Sequence, residues 1–432
     1  MRIAVIGGGI SGISVARMLK EVADVTVYER NSNVGGLIRC EELPAGLYHL
    51  LGGHVFNAQS PDVSAWFWRH FDREGEFHHL TRNARILLGN SQVGYPLENH
   101  LYQLPPAQCA AVVQDLIAIA QDAGRTPPAN FRDFLLGTFG PTLCEAYFFP
   151  YNAKLWRCDL SSIPLGWLEG KLPMPLVADI LRANVLRQAE KGMVHSQFFY
   201  PRHGGSQFII DRLATGLSLR LSTEVSRLIR TADGCWRVND EPTAYDRVVY
   251  TGDVRALGRM LGASDTPPEL GRLQALRTRG ITNAFCHCDS TAISWLYVPD
   301  AGYRANRIIY TGAFSPENNR TGRMTCVVEF AYGESGAAIA GDLHRLPGNL
   351  ELIATNSVAD AYVIQEHDTR ESIAQLKATL KARGLWLLGR FAEWEYYNMD
   401  KCIGAAMQLA GEMGGRSWCL DGRCPPAESK LR

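Results

Sequence analysis

The 432-residue sequence predicts an α/β protein: a parallel-sheet domain assembled from discontinuous segments, with a helical insert and an antiparallel β-sheet domain. Three observations lead there. The chain opens on a strand, a glycine-rich turn and a helix ("RIAVIGGGISGISVARML"). Residues 100–190 turn helical, and from residue 281 the text alternates with the period of sheet strands. A late strand and helix ("LWLLGRF", "MDKCIGAAMQLAGEM") then return to the opening style, so the first domain is expected to close with the end of the chain. The expected division assigns residues 1–95, 195–270 and 385–420 to the parallel-sheet domain. It assigns 96–194 to the helical domain, 271–384 to the antiparallel sheet and 421–432 to a disordered tail rich in Gly, Pro and charge.

Each element has its own signal. "RIAVIG" reads as a buried strand, and Ile13, Ala16, Leu19 and Val22 recur at helical spacing behind the glycine turn. "DVTVYER" returns as a second strand, giving one βαβ unit with a right-handed crossover. "PPAQCAAVVQDLIAIAQDA", "FRDFLLGTFG", "TLCEAYFFPY" and "MPLVADILRANVLRQAEKG" form the helical stretch, punctuated by Pro105–Pro106 and Pro127–Pro128. Strands are expected in "LSLRLSTEVSRLIR", "CWRVND", "YDRVVYTGD", "ISWLYVP", "NRIIYTGAF" and "RMTCVVEFAYG".

Composition narrows the function. With 44 basic and 44 acidic residues, the chain lacks the basic excess that would draw nucleic acid or an anionic membrane. No signal-peptide pattern precedes the first strand, and the most apolar helical stretch, 109–124, is too short to span a bilayer. Eleven scattered cysteines suit a reducing, cytoplasmic setting. "CHC" at 286–288 matches no zinc spacing and reads as a strand, so no metal is expected.

Gly7, Gly9 and Gly12 form G-x-G-x-x-G between strand and helix, the phosphate grip of a Rossmann-like domain. Gly7 permits the turn, Gly9 the approach of a pyrophosphate, and Gly12 close helix–strand packing. Unpaired N–H groups at the helix start, around Ser11, favour phosphate. Glu29 ends the second strand, where an acid accepts from a ribose hydroxyl and disfavours a 2′-phosphate.

Beyond that acid, "ERNSNVGGLIR" carries Arg30, Gly35–Gly36 and Leu37. This resembles the extended FAD motif of the amine-oxidase-like flavoprotein superfamily, which implies FAD as cofactor. "YDRVVYTGD" and "GRFAEWEYYNMD" resemble that superfamily's later cofactor-covering strands, which places Arg390, Asn398 and Met399 beside the flavin, with Asp400 close by. Within the superfamily, "YHLLGGHVFN", "YPLENHLYQLP", "FFPYNAKLW", "EYYNMDKCIGAAMQLA" and "WLYVP…NRIIYTGAFSP" resemble motifs of the UDP-galactopyranose mutase family.

The resemblance implies an isomerase that interconverts pyranose and furanose forms of a nucleotide-diphosphate hexose with no net redox change. Its reaction proceeds by attack of reduced flavin N5 on the anomeric carbon, through a flavin–sugar iminium. On that basis Gly53 and His54 lie at the flavin, and Arg307 grips the diphosphate. Lys171 stands where the family has a second arginine, with Arg202 as an alternative charge. Tyr396 meets the phosphates, and Asn99 and Asn398 line the sugar. Tyr151 stacks on the base and Trp156 walls the sugar, an aromatic contact contributing about 1–3 kcal/mol. Pro150 and Asn152 are expected to hold a non-helical backbone between these two rings, with Phe148 and Phe149 packing core.

The implied partners are a nucleotide sugar and a reductant, NAD(P)H or a reductase, with self-association a family expectation. Galactofuranose supply to cell-wall or natural-product sugar biosynthesis is the implied setting. Two other readings remain open: an oxidase or desaturase of the same fold, and an FAD-binding protein without turnover.

Overall fold

The computed structural model describes residues 1–122, 124, 126–168, 175–188 and 196–414. Strand β1 (Arg2–Ile6), helix α1 (Ile10–Leu19) and strand β2 (Asp24–Tyr28) make the opening βαβ unit. β1 and β2 sit inside a five-stranded sheet in which every pairing is parallel, in the order Leu385–Leu387, Arg247–Tyr250, β1, β2, Ser218–Arg220. The sheet is therefore built from the beginning, middle and end of the chain. One face buries Ile13, Ala16 and Leu19 of α1 against Ile403, Ala406 and Ala410 of the last helix, Met399–Glu412. The other face buries Trp236 and Trp394 together with Leu376 and Leu380 of helix Thr369–Lys381.

A second sheet has seven strands, in the order Glu351–Val363, Thr278–Cys288, Met324–Ala331, Ala305–Ile309, Trp295–Tyr297, Ala84–Leu88, Ser91–Gly94. Its pairings are antiparallel except between Trp295–Tyr297 and Ala84–Leu88. The strands of 84–94, placed by sequence with the dinucleotide domain, thus hydrogen-bond into this sheet. Helices Pro106–Gln121, Phe131–Leu143 and Phe149–Trp156 cover one face through Leu116, Leu135, Leu143 and Trp156. Helix Gly336–Arg345 covers the other through Ile339 and Leu343.

Two readings need correcting. "LSLRLSTEVSRLIR" is not one strand: Ser218–Arg220 joins the parallel sheet and Leu228–Arg230 a separate three-stranded one. Ser222, at φ 50°, breaks the run, and its N–H donates to the Asn31 carbonyl. "FFPYNAKLW" is helical over Phe149–Trp156, not irregular. Proline is tolerated in a first turn because its missing N–H has no intrahelical partner there, and Pro150 occupies that turn behind a π-helical Cys144–Phe148. "CHC" does lie in a strand, with Cys286 and Cys288 facing the core and His287 on the opposite side, bonded at 2.9 Å to the Ala45 carbonyl.

Candidate active site

The first half of the site is made of backbone. Gly7 has φ 109°, and its N–H donates to the Tyr28 carbonyl at 2.8 Å, closing the turn between β1 and α1. A Cβ on Gly12 would sit 2.0 Å from the Gly7 oxygen, so only glycine lets helix and turn approach this closely. The second glycine pair folds onto the first. The Gly35 N–H donates to the Gly8 carbonyl at 2.8 Å, and a Cβ on Gly36 would lie 3.1 Å from Gly9 Cα. Buried Glu29 accepts from the Gly8 N–H at 2.8 Å and from the Asn31 N–H at 2.9 Å. Leu37 follows in a short 3-10 turn, and Arg30 points to solvent.

The end of the chain returns to the same place. A Cβ on Gly389 (φ 95°) would meet Ser11 Oγ at 2.5 Å, so the strand that precedes Arg390 touches the start of α1. Asn398 is the N-cap residue of the last helix, whose Met399 is buried beside α1. Burial pushes the Asp400 carboxyl above its ordinary range. A glycine-rich turn at the positive end of a helix, with a buried acid just after the next strand, fits a dinucleotide.

The second half is made of side chains. Tyr297 and Arg307 stand opposite each other in neighbouring antiparallel strands, so they share one face of the large sheet. Arg307 Nη2 donates to Glu329 Oε2 at 2.8 Å and to the Tyr362 hydroxyl at 2.9 Å. Glu329 is fully buried. Burial opposes the Arg307 charge, but the Glu329 carboxylate outweighs it and holds the guanidinium charged. Tyr362 stacks on Tyr396 with centroids 5.7 Å apart and planes within 3°. Arg390 lies 4.5 Å over Tyr396 and donates to the Tyr397 and Ala361 carbonyls.

Helix Phe149–Trp156 supplies the facing wall. Tyr151 meets Tyr297 edge-on at 5.4 Å and stacks with Tyr147 at 5.7 Å. Burial raises the Tyr151 phenol, while the nearby Arg307 charge pulls the other way. Asn152 turns inward, donating to the Phe148 carbonyl at 2.8 Å and accepting from Trp156 Nε1 at 3.2 Å. It fixes the indole from within the helix. Lys154 donates from Nζ to the carbonyls of Val298 (2.7 Å) and Asp300 (3.0 Å), and burial lowers its ammonium to about 8. Arg279 closes the other end, donating to the carbonyls of Trp156 (2.5 Å) and Arg157 (2.7 Å).

The loop of Gly52, Gly53 and His54 lies against the wall. Asn283 and Asn356 both donate to the Leu50 carbonyl, and a Cβ on Gly53 would lie 2.5 Å from Ile309 Cγ2. A Cβ on Gly52 would lie 3.8 Å from Arg307 Nη2, so the loop rests beside the arginine. His54 is half-buried, with its ring centroid 6.5 Å from that of buried His49. Burial drops His49 to about 4, and its Nε2 meets the Tyr200 hydroxyl at 2.8 Å. Asn99, half-buried, lies in the 3-10 turn after Pro96.

One expected charge turns away from this wall, and another falls outside the described residues. The Arg202 guanidinium turns to His78 Nδ1 (3.2 Å) and the Glu74 carbonyl (3.1 Å) on another strand pair, which removes it as the substitute cation. Lys171 lies outside the described residues. In exchange the fold brings in Glu329, Tyr362, Tyr297 and Arg82, none of which the sequence singled out. Tyr297 stood within the quoted "WLYVP" and was the nearest to being found. Among the described residues no cluster of potential metal ligands occurs, and no helix is long and apolar enough to cross a membrane.

Comparison with known proteins bears on the fold. Residues 5–71 match the family described as an NAD(P)-binding Rossmann-like domain. The chain is 25% identical over 177 residues to a probable UDP-galactopyranose mutase of Klebsiella pneumoniae, covering 40% of this chain and 45% of that protein. It is 27% identical over 180 residues to dTDP-fucopyranose mutase of Escherichia coli, covering 40% and 46%. These matches thus span just under half the length of either relative. Among solved structures, a reduced UDP-galactopyranose mutase superposes with TM-score 0.82 at 20% identity, over 96% of this chain and 95% of that one. A putative protoporphyrinogen oxidase from Exiguobacterium follows with TM-score 0.73 at 15% identity, over 95% and 98%. The fold class is a Rossmann-like domain with a parallel sheet joined to a second, mostly antiparallel sheet. Within it, the chain has the UDP-galactopyranose mutase fold and sequence relatives named as sugar mutases.

Proposed function

We propose that this protein is an FAD-dependent mutase that interconverts the pyranose and furanose forms of a nucleotide-diphosphate hexose, UDP-galactopyranose or a related sugar such as a dTDP-deoxyhexose. One observation carries the reading: Arg307, held charged by Glu329, and a set of tyrosines form a wall beside the Gly52–His54 loop. A greasy substrate has no use for a charged guanidinium; a diphosphate does, through charge-assisted hydrogen bonds.

The cradle of Gly7, Gly9, Gly12, Gly35 and Gly36, with Glu29 and the Gly389–Ser11 approach, holds the FAD. Bound and reduced, by NAD(P)H or a reductase, the flavin supplies an electron-rich nitrogen for covalent catalysis. The chain's own work is positional. Arg307, kept charged and aimed by Glu329, neutralises the diphosphate as it leaves and returns. Burial raises the Tyr151 and Tyr362 phenols. Tyr362 accepts from Arg307 and donates to Glu329, so it helps hold that ion pair, and Tyr151 keeps a hydroxyl proton to donate at neutral pH. Tyr151 and Trp156 frame the base and the sugar, Tyr396 and Asn99 line the same space, and His54 with Gly53 abuts the cofactor.

The test is pyranose–furanose exchange followed by HPLC, with UDP-galactose and dTDP-fucose in separate reactions, with and without dithionite. Product that forms only under reduction supports the mutase. Peroxide release with an amine under air, and no exchange, would replace it with an oxidase.

A further inference from the structure

We propose that Arg82 is the second cation of the diphosphate site and acts there together with the hydroxyl of Tyr297. The assignment rests on the mutase reading above. A diphosphate carries more charge than one guanidinium already shared with Glu329 can balance. The two residues expected to help are Arg202, which faces elsewhere, and Lys171.

Arg82 comes from the turn before strand Ala84–Leu88, which hydrogen-bonds in parallel to Trp295–Tyr297. Its guanidinium lies 4.6 Å over the ring of Tyr95, 5.2 Å from Trp295 and 6.0 Å from Tyr297. Its Nη2 donates to the Tyr297 hydroxyl at 2.5 Å. Tyr297 is the register partner of Arg307 and meets Tyr151 edge-on, so this bond delivers a positive charge to the wall where the base and diphosphate are placed. The electrostatics agree: the Arg307 charge disfavours that of Arg82, as two cations in one pocket must. Aromatic faces stabilise a guanidinium without neutralising it. The Tyr297 hydroxyl, accepting from Arg82, has its own proton free to donate, and that acceptance makes it a stronger donor to a phosphate oxygen.

The experiment titrates the purified holoprotein with UDP, dTDP, uridine and inorganic pyrophosphate by calorimetry. Wild type is compared with Arg82→Gln, Arg82→Lys, Tyr297→Phe and the Arg82→Gln/Tyr297→Phe double variant, with melting temperature and flavin content as controls. Arg82→Gln is expected to weaken UDP and pyrophosphate about 10- to 100-fold, the size of a lost charge-assisted contact. Uridine should change less than about two-fold, and Arg82→Lys should recover part of the loss. Tyr297→Phe should show a smaller loss that does not add to that of Arg82→Gln, because the two groups act as one donor unit. Equal weakening of uridine and UDP, or unchanged UDP affinity in a folded Arg82→Gln protein, overturns the assignment alone. Wild type that binds neither UDP nor dTDP nor pyrophosphate overturns both the assignment and the mutase reading.

Discussion

The cradle and the wall are two ways of building a binding surface. The cradle is local: Gly7, Gly9 and Gly12 lie within six consecutive residues, and their chemistry is that of backbone N–H groups with nothing in the way. The wall is dispersed. Arg82, Tyr151, Tyr297, Arg307, Glu329, Tyr362 and Tyr396 arrive from seven separate segments, and each works through a side chain held by another. A cradle therefore fails by steric intrusion and a wall by misplacement or uncompensated charge.

The sharpest way to break the contrast is Gly12→Ala, which forces a Cβ against the Gly7 oxygen at 2.0 Å. We expect loss of retained flavin, read from visible absorbance, and destabilisation on the order of 3 kcal/mol in thermal melts. Retained flavin with native stability would mean the turn is not the cofactor's seat.

Arg307→Ala should do the opposite: the yellow cofactor stays and nucleotide binding falls about 100-fold. It should also cost roughly 3–5 kcal/mol of stability, because Glu329 is left as a buried, unpaired charge. Arg307→Met with Glu329→Gln should recover most of that stability but none of the binding. A double variant as unstable as the single one would show that the ion pair is not the cause.

Acid probes the buried strand that leads into the Gly52–His54 loop. His49 is held neutral by burial, at about 4 against an ordinary 6.5. The unfolded chain therefore takes up a proton first as pH falls from about 6.5 toward 4. The associated stability is fully present above about 6.5 and is lost as pH drops through about 4, on the order of 3 kcal/mol. His49→Gln should flatten that part of a stability-versus-pH curve; an unchanged slope would assign the loss to other groups.

The mildest change is Lys154→Met, which removes the tie between the Tyr151 helix and the Val298 and Asp300 carbonyls. KM should rise about five- to ten-fold with kcat nearly constant, since about 1–1.5 kcal/mol of positioning is lost before chemistry begins. An equal fall in kcat would mean the helix touches the reacting centre directly.

How much could be read in advance follows the same division. The opening βαβ unit, the second glycine pair and Glu29 were legible because each is a short spacing with one physical meaning. Arg307, Tyr151, Trp156 and Tyr396 were reached through motif resemblance, and the fold gathers Arg307, Tyr151 and Tyr396 around one wall. The partners of Asn152 and Arg202 were not legible because a side chain's partner cannot be read from its neighbours in sequence. Asn152 serves Trp156 four residues on, while Arg202 meets His78, 124 residues away in sequence. Pro150 suggested irregular backbone because its place within a helix depends on where that helix begins, and the π-helical turn before it set that point.

By itself, the sequence determined the cradle, since a glycine's freedom from a Cβ and a strand's buried period are properties of consecutive residues. Only the tertiary structure decided the wall. Glu329 is an ordinary strand acid until the pairing of Ala305–Ile309 with Met324–Ala331 sets it beside Arg307. Arg82 is an ordinary loop arginine until a parallel strand pair carries it to Tyr297. Charge and aromatic contacts act across a few ångströms of space, whatever the distance along the chain, so their meaning waits for the fold.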